Sequence, residues 1–151
     1  MRIISQNVTD AHLTISNQLV ASIGKGLVLL VGFTFNDNEK IIDKMVDKIL
    51  KMRVFKDNNG KTNLSINDIE GDILLVPQFT VYADLSDGRR PSFTKALVPN
   101  EASRLFDLLT NKIVQLFPRV KSGVFGADMQ VSLTNDGPFT LLLDSQELLY
   151  E

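Results

Sequence analysis

The sequence predicts an α+β fold, a small β-barrel-like sheet with two main helices. Three observations carry this. Most of the chain divides into short segments in which apolar residues either alternate with polar ones or run on unbroken, and both patterns belong to strands. Only two segments show apolar residues at helical spacing. Those two do not alternate regularly with the strands, so a doubly wound parallel sheet is not expected. The 151 residues suit one domain, read here as 1–151, because a chain of this size buries roughly 70% of the surface it would expose unfolded.

In order along the chain, Ile3-Ile4 through Val8 forms a first strand. A second, Ala11 to Ile15, sets His12 and Thr14 on its polar side. Asn17-Gln18 turns the chain into Leu19–Ile23, and Gly24-Lys25-Gly26 reads as a hairpin turn. Leu27 to Phe35 is nearly continuous apolar sequence, as in a strand buried on both faces. Asn36-Asp37-Asn38 supplies helix caps, and Ile41, Ile42, Met45, Val46, Ile49 and Leu50 then line one face of a helix ending near Met52. Asp57-Asn58-Asn59-Gly60 is a turn. Ile73 to Val81 is a second buried strand, with Pro77 predicting an edge position or a bulge. Ala83 to Val98 reads as a long surface loop. A second helix starts near Pro99 or Asn100 and presents Ala102, Leu105, Phe106, Leu109, Ile113 and Leu116, and Pro118 ends it. Met129 to Thr134 and Phe139 to Leu143 are the last strands, with Asn135 to Thr140 as the turn between them.

Composition removes several kinds of chemistry. With no cysteine, there is no thiolate nucleophile, disulfide or Cys-based metal centre. His12 is the only histidine, so two-histidine metal sites are excluded within one chain and a Ser-His-Asp triad would depend on that residue. Its neighbours supply few parts of a triad, and a solvent-facing sheet residue is the plainer reading. The longest apolar stretch, Leu27 to Val31, falls far short of the ~20 residues that span a bilayer. The first residues lack the apolar core of a signal peptide. A cytoplasmic protein with no membrane association, metal or cofactor is expected.

Sixteen basic and eighteen acidic residues leave a net charge of −2, which argues against indiscriminate polyanion binding. The average hides a local surplus. Lys40 to Lys56 carries six basic and two acidic residues, and Lys44, Lys48 and Lys51 share a helical stripe. These residues, Arg89-Arg90 and Arg119 with Lys121 are candidate phosphate contacts; a solvated helix face explains the stripe equally well.

Two short motifs resist a purely structural account. Pro77-Gln78-Phe79-Thr80-Val81 puts polar side chains inside an apolar run, where each needs a partner. Asn135-Asp136-Gly137-Pro138-Phe139-Thr140 contains a Gly-Pro peptide, the bond type where a cis form is cheap. Together they suggest a site walled by main chain rather than by acids and bases.

These motifs resemble those of the D-aminoacyl-tRNA deacylase family, and the resemblance runs the whole chain. It includes the Met-Arg-Ile-Ile-Ser-Gln start, Gly26-Leu27 into Leu30-Val31-Gly32, Arg53-Val54-Phe55 and Gln78-Phe79-Thr80. It continues through Arg90-Pro91-Ser92-Phe93, Phe125 to Val131 and Asn135-Asp136-Gly137-Pro138. The resemblance implies a homodimer with active sites at the subunit interface and aminoacyl-tRNA as substrate. It implies that the main chain around Gln78 and Phe79, with Thr80 beside it, hydrolyses the ester without a side-chain nucleophile. Gly137-Pro138 would be a cis-peptide chiral filter inserted from the partner, admitting D-amino acids and glycine, including glycine mischarged on tRNA-Ala. Pro77, Gln6, Asn7, Phe125, Ala127 and Met129 would complete the substrate site, with the segment Phe125 to Met129 helping to hold the terminal adenosine. The implied role is translation quality control.

Two residues depart from the family pattern. Asn7 stands where the family usually has an Arg that braces the Gly-Pro loop, and Pro77 where it usually has Ser. A related branch that opens this motif with Pro-Gln accepts some L-aminoacyl-tRNAs. The alternatives are therefore a deacylase with relaxed chirality, acting on an L-amino acid on the wrong tRNA, or a nucleic-acid binding module that has lost hydrolysis.

Overall fold

In a computed structural model, which describes residues 1–149, the fold is α+β with a nearly closed sheet. Strand β1 (Arg2–Ile15) is one continuous strand, not the two expected. Ser16 and Asn17, both at positive φ, turn it into β2 (Gln18–Ile23), and β3 (Gly26–Gly32) follows. Gly24-Lys25 is not a hairpin turn. Ala11 pairs with Ile23 and Val8 with Gly26 in one unbroken register, so β2 and β3 run end to end along the same edge of β1. The glycine has a different reason: a Cβ at Gly26 would overlap the Asp72 carbonyl, so its absence lets the neighbouring strand approach.

Helix α1 (Glu39–Lys51) starts where Asn38 accepts the Ile41 N–H. The Asp57 turn joins β4 (Phe55–Lys56) to β5 (Thr62–Leu64). Strand β6 (Asp72–Pro77) lies parallel between β3 and β7 (Val120–Ser122), so Pro77 is not on an edge strand. Instead β6 stops there, and Phe79–Tyr82 forms a 3-10 turn where strand was expected. Helix α2 (Pro99–Leu116) has Pro in its first turn, where a missing N–H costs nothing. Strand β8 (Gln130–Asp144) runs along the other edge of β1 and passes through the predicted Asn135–Thr140 turn without ending. A one-turn α3 (Ser145–Leu148), absent from the sequence reading, follows.

The sheet order is β2-β1-β3-β6-β7 with β8 on β1, and the curl brings β2 back against β6 and β7. Lys121 Nζ fastens that closure by donating to Ser22 O at 2.8 Å. Two apolar cores result. Alternate residues of the central strands, Leu29, Ile73 and Leu75, face Ile42, Met45 and Ile49 of α1 and Leu105, Leu109 and Ile113 of α2. The intervening Val28, Leu74 and Val76 face Val8, Leu13, Ala21 and Ile23 inside the curl. Burial on both faces explains why these strands read as unbroken apolar runs. Leu116, expected on the buried face of α2, is exposed at its last turn.

Candidate active site

The end of β6 builds the centre of the site. Peptide groups along β6 point alternately to its neighbours: Ile73 N bonds Arg119 O and Leu75 O accepts from Gly123 N, whereas Gln78 N donates to Val31 O at 2.7 Å. Pro77 therefore faces the β7 side, beyond the last pairing with β7, and its missing N–H interrupts no ladder. Within the turn, Val81 N bonds Gln78 O and Ala83 N bonds Thr80 O. Like the first amides of any helical turn, the Phe79 and Thr80 N–H groups have no main-chain acceptor among the described residues.

Several contacts hold this turn. Gln78 Nε2 donates to Thr80 Oγ1. Arg2 Nη1 donates to Val81 O at 3.2 Å, while its Nε pairs with Asp144 at 2.8 Å and its guanidinium lies 4.6 Å from the Tyr82 ring centre. The Tyr82 hydroxyl is buried with no hydrogen-bond partner among the described residues, and burial pushes its pKa above the ordinary phenol value. Gly32 permits the close packing: a Cβ there would overlap Val81 Cγ2 and stand 2.8 Å from Gln78 O.

Two clefts meet at Gln78 and Phe79. The larger, about 530 Å³, is apolar and bounded by Phe35, Phe93, Thr94, Val98 and Phe125 as well as Gln78 and Phe79. Phe79 is 54% exposed and packs edge-on to Phe93 at 4.9 Å. The smaller, about 250 Å³, is lined by Pro77, Gln78, Phe79, Ala127, Asp128 and Met129. The two share Gln78, Phe79 and Gly126. The structure thus brings Pro77, Gln78, Phe79, Phe125, Ala127 and Met129 together around one ridge, with Thr80 exposed on the adjoining turn. Sequence reading missed Gly32, Phe35, Phe93, Thr94 and Val98 as cleft residues; the one signal was the aromatic Phe93 in otherwise polar loop sequence.

Gly137, Pro138, Gln6 and Asn7 line neither cleft of their own chain. Between the pairs Val8–Asn135 and Gln6–Thr140, β8 carries a bulge opposite Asn7. The exposed Gly137-Pro138 peptide sits in that bulge and is cis. Asn135 closes its neck, donating to Thr140 Oγ1 at 2.8 Å and accepting from Phe139 N at 3.0 Å. Gln6 Nε2 reaches the same Thr140 hydroxyl at 3.5 Å. Asn7 turns the other way: it is buried and donates to Val54 O at 2.8 Å.

The remaining candidates are dispersed. His12 is exposed on β1, paired in the sheet with Ser22 and Ser132. Arg119 Nε and Lys121 Nζ are held by the Gly71 and Ser22 carbonyls. Arg89 and Arg90 are exposed, as are Lys40, Lys44, Lys48 and Lys51 on α1, where Lys51 pairs with Asp47. Among the described residues no cluster of His, Asp or Glu has metal-binding geometry, and no helix is long and apolar enough to cross a membrane.

Known proteins match this chain closely. The family model of the D-Tyr-tRNA(Tyr) deacylases matches residues 4–144. The D-aminoacyl-tRNA deacylase of Thermoanaerobacter pseudethanolicus (strain ATCC 33223 / 39E) is 46% identical over 148 residues, covering 98% of this chain and 99% of the relative. That of Thermoanaerobacter sp. (strain X514) is equally similar. Among solved structures, the c-Myc DNA Unwinding Element Binding Protein superposes with a TM-score of 0.91 at 35% identity, over 95% of this chain and 98% of that one. A probable eukaryotic D-amino acid tRNA deacylase shares the fold, with a TM-score of 0.83 at 20% identity over 94% and 97% of the two chains. With matches of this identity along nearly its full length, the chain belongs to the D-Tyr-tRNA(Tyr) deacylase family.

Proposed function

We propose that the protein hydrolyses the ester between a D-amino acid and the terminal ribose of tRNA, a reaction of translation quality control. The observation that carries this is the pair of free amides at Phe79 and Thr80, on the ridge between two clefts. Such an ester is already activated. A bound water attacks its carbonyl carbon, the Phe79 and Thr80 N–H groups receive the charge that develops on the carbonyl oxygen, and the C–O bond to ribose breaks. The leaving ribose oxygen takes up a proton, which the adjacent ribose hydroxyl of the substrate relays from the attacking water. No side-chain nucleophile is needed, consistent with a chain that has one histidine and no cysteine.

Chirality comes from a second copy. The Gly137-Pro138 loop is exposed, held at its neck by Asn135, and away from the clefts of its own chain. Beside it the outer edge of β8 pairs with no strand among the described residues, and Leu141 and Leu142 are 38% and 60% exposed. A homodimer through this face would cover apolar surface and an open strand edge, and would carry each loop to the partner's site. Its main chain then excludes an L side chain and admits a D side chain or none, so glycine, including glycine on tRNA-Ala, is also released.

The test is hydrolysis of a D-aminoacyl-tRNA in ¹⁸O-labelled water, with sedimentation of the same preparation. Label in the released carboxylate and a dimer are the expected results. A second reading, favoured by the likeness to the c-Myc DNA Unwinding Element Binding Protein, is nucleic-acid binding without catalysis. It predicts tight, salt-sensitive binding and no hydrolysis of any charged tRNA.

A further inference from the structure

No residue lining either cleft is a cation, yet the RNA that carries the reacting ester brings one negative charge with each phosphate. The cations that meet it must stand outside the clefts, and three basic groups are candidates. Arg119 and Lys121 lie level with the first half of β6, away from the end that builds the site. Their side chains are held by the Gly71 and Ser22 carbonyls. On α1 the basic residues are interleaved with acidic ones. Lys44 and Lys48 share a groove with Asp43 and Asp47, and Lys51 pairs with Asp47.

Arg89 and Arg90 differ on both counts. They sit at the tip of a finger, residues 84–92, whose base is closed by Asp84 N to Ser92 O at 2.7 Å and Ser92 N to Asp84 O at 2.8 Å. The Asp84 carboxylate stiffens it, accepting from Ser86 N at 2.9 Å and pairing with Lys95 at 3.3 Å. Gly88, at a φ of +72°, turns the tip. The segment that leaves the finger is a wall of the larger cleft: Phe93 packs on Phe79, and Leu97 N bonds Phe33 O at 3.0 Å. Arg90 is three residues from Phe93, at most about 11 Å along the backbone. Both arginines are exposed, and neither enters an ion pair among the described residues.

Resting on the ester-hydrolysis reading above, we propose that this finger is a phosphate clamp, in which Arg89 and Arg90 bind the phosphodiester groups that lead to the terminal ribose. A planar guanidinium can meet two phosphate oxygens at once. The closed base of the finger limits the ordering that such a contact costs. Asp87, on the same tip and likewise without an ion pair among the described residues, opposes the phosphates and tempers the clamp. The finger sets the affinity for the RNA, and the Phe79 and Thr80 amides carry the chemistry.

Steady-state kinetics on two substrates with the same ester test this: D-alanyl-tRNA, and D-alanyl-adenosine, which has no phosphate. For the wild type, KM for the tRNA rises with KCl and KM for the adenosine ester does not. Arg89→Ala combined with Arg90→Ala is expected to raise KM for the tRNA about tenfold near 0.15 M salt. It lowers the slope of log KM against log salt by about 1.4, the share of two single-stranded phosphate contacts. Hydrolysis of the adenosine ester stays as in the wild type, which also reports that the variant is folded. Arg89→Lys with Arg90→Lys keeps most of the slope, and Asp87→Asn lowers KM for the tRNA about twofold. Lys44→Ala with Lys48→Ala leaves the slope as it is. A slope that survives loss of both arginines, a slope lost with the two α1 lysines instead, or equal losses on both esters overturns the proposal while leaving ester hydrolysis standing. A wild type that hydrolyses neither ester overturns the functional reading, and this inference with it.

Discussion

The Asn135 side-chain amide donates to Thr140 Oγ1 at 2.8 Å across the neck of the loop that carries Gly137 and Pro138. Its carbonyl meanwhile accepts from Phe139 N. One side chain therefore sets the width of the bulge. Asn135→Ala removes both bonds and is expected to lower stability by about 1–2 kcal/mol. On the reading above it also reduces the preference for D- over L-aminoacyl-tRNA, with less effect on hydrolysis of the D-ester. Thermal melts and paired deacylation rates check this; unchanged selectivity would separate the loop from chirality.

Gly32 touches the opposite side of the site. A methyl group there overlaps Val81 and crowds the Gln78 carbonyl, so the 3-10 turn must move or the strand must. Gly32→Ala is expected to cost about 1–3 kcal/mol as an overpacked site. It should also slow deacylation, because the displaced turn carries the Phe79 and Thr80 amides. Denaturant melts and kcat of the same variant measure the two effects. Stability lost with kcat intact would show that these amides are not the catalytic groups.

Thr80 accepts a hydrogen bond from Gln78, and no group on its turn is a base able to activate it. Thr80→Ala should therefore retain kcat to within roughly tenfold, the range left when positioning alone is disturbed. Acid quenching followed by intact-mass spectrometry should show no acyl-enzyme. An acyl group trapped on Thr80 would make the hydroxyl a nucleophile.

The long loop beside the larger cleft has its own pH dependence. Hydrogen bonds from the Ser86 hydroxyl and N–H, then Lys95, hold Asp84 down at about 2. A lowered carboxylate pKa stabilises the loop above the unfolded value near ~3.9 and loses that contribution as pH falls toward the folded value. Amide exchange across residues 84–95 should stay slow at pH 5 and rise between about pH 4 and pH 2. Asp84→Asn should abolish that step.

Much of the fold was legible because local rules coincided with tertiary ones. The Asn38 cap and the apolar stripe from Ile42 to Leu50 specify α1 without help from elsewhere, and Pro99 opens α2. The misreadings fall where a distant partner decides the outcome. Asn-Asp-Gly-Pro has turn composition, yet β1 pairs on both sides of it and carries β8 through as a bulge. Gly24-Lys25-Gly26 suggested a hairpin, yet its glycines answer to a neighbouring strand at Asp72. Gln78 and Thr80 stood out as polar residues in an apolar run, and the structure puts that stretch just past the end of β6, with Gln78 and Phe79 between the two clefts. That the chain leaves β6 after Pro77 for a 3-10 turn, two residues beyond the last pair with β7, and so frees two amides, has no local signal. The cleft walls from Phe35 and Phe93 lie far apart in sequence, and nothing local announces that they meet.

The central claim is that main-chain groups at Phe79 and Thr80 hydrolyse aminoacyl-tRNA with selection against L side chains. Side-by-side incubation of one preparation with a D-aminoacyl-tRNA, its L-enantiomer and glycyl-tRNA tests it most directly. Release of the D-amino acid and glycine, with the L-ester intact over the same interval, is the predicted result. Hydrolysis of the L-ester at the rate of the D-ester, or of none of the three, would contradict it.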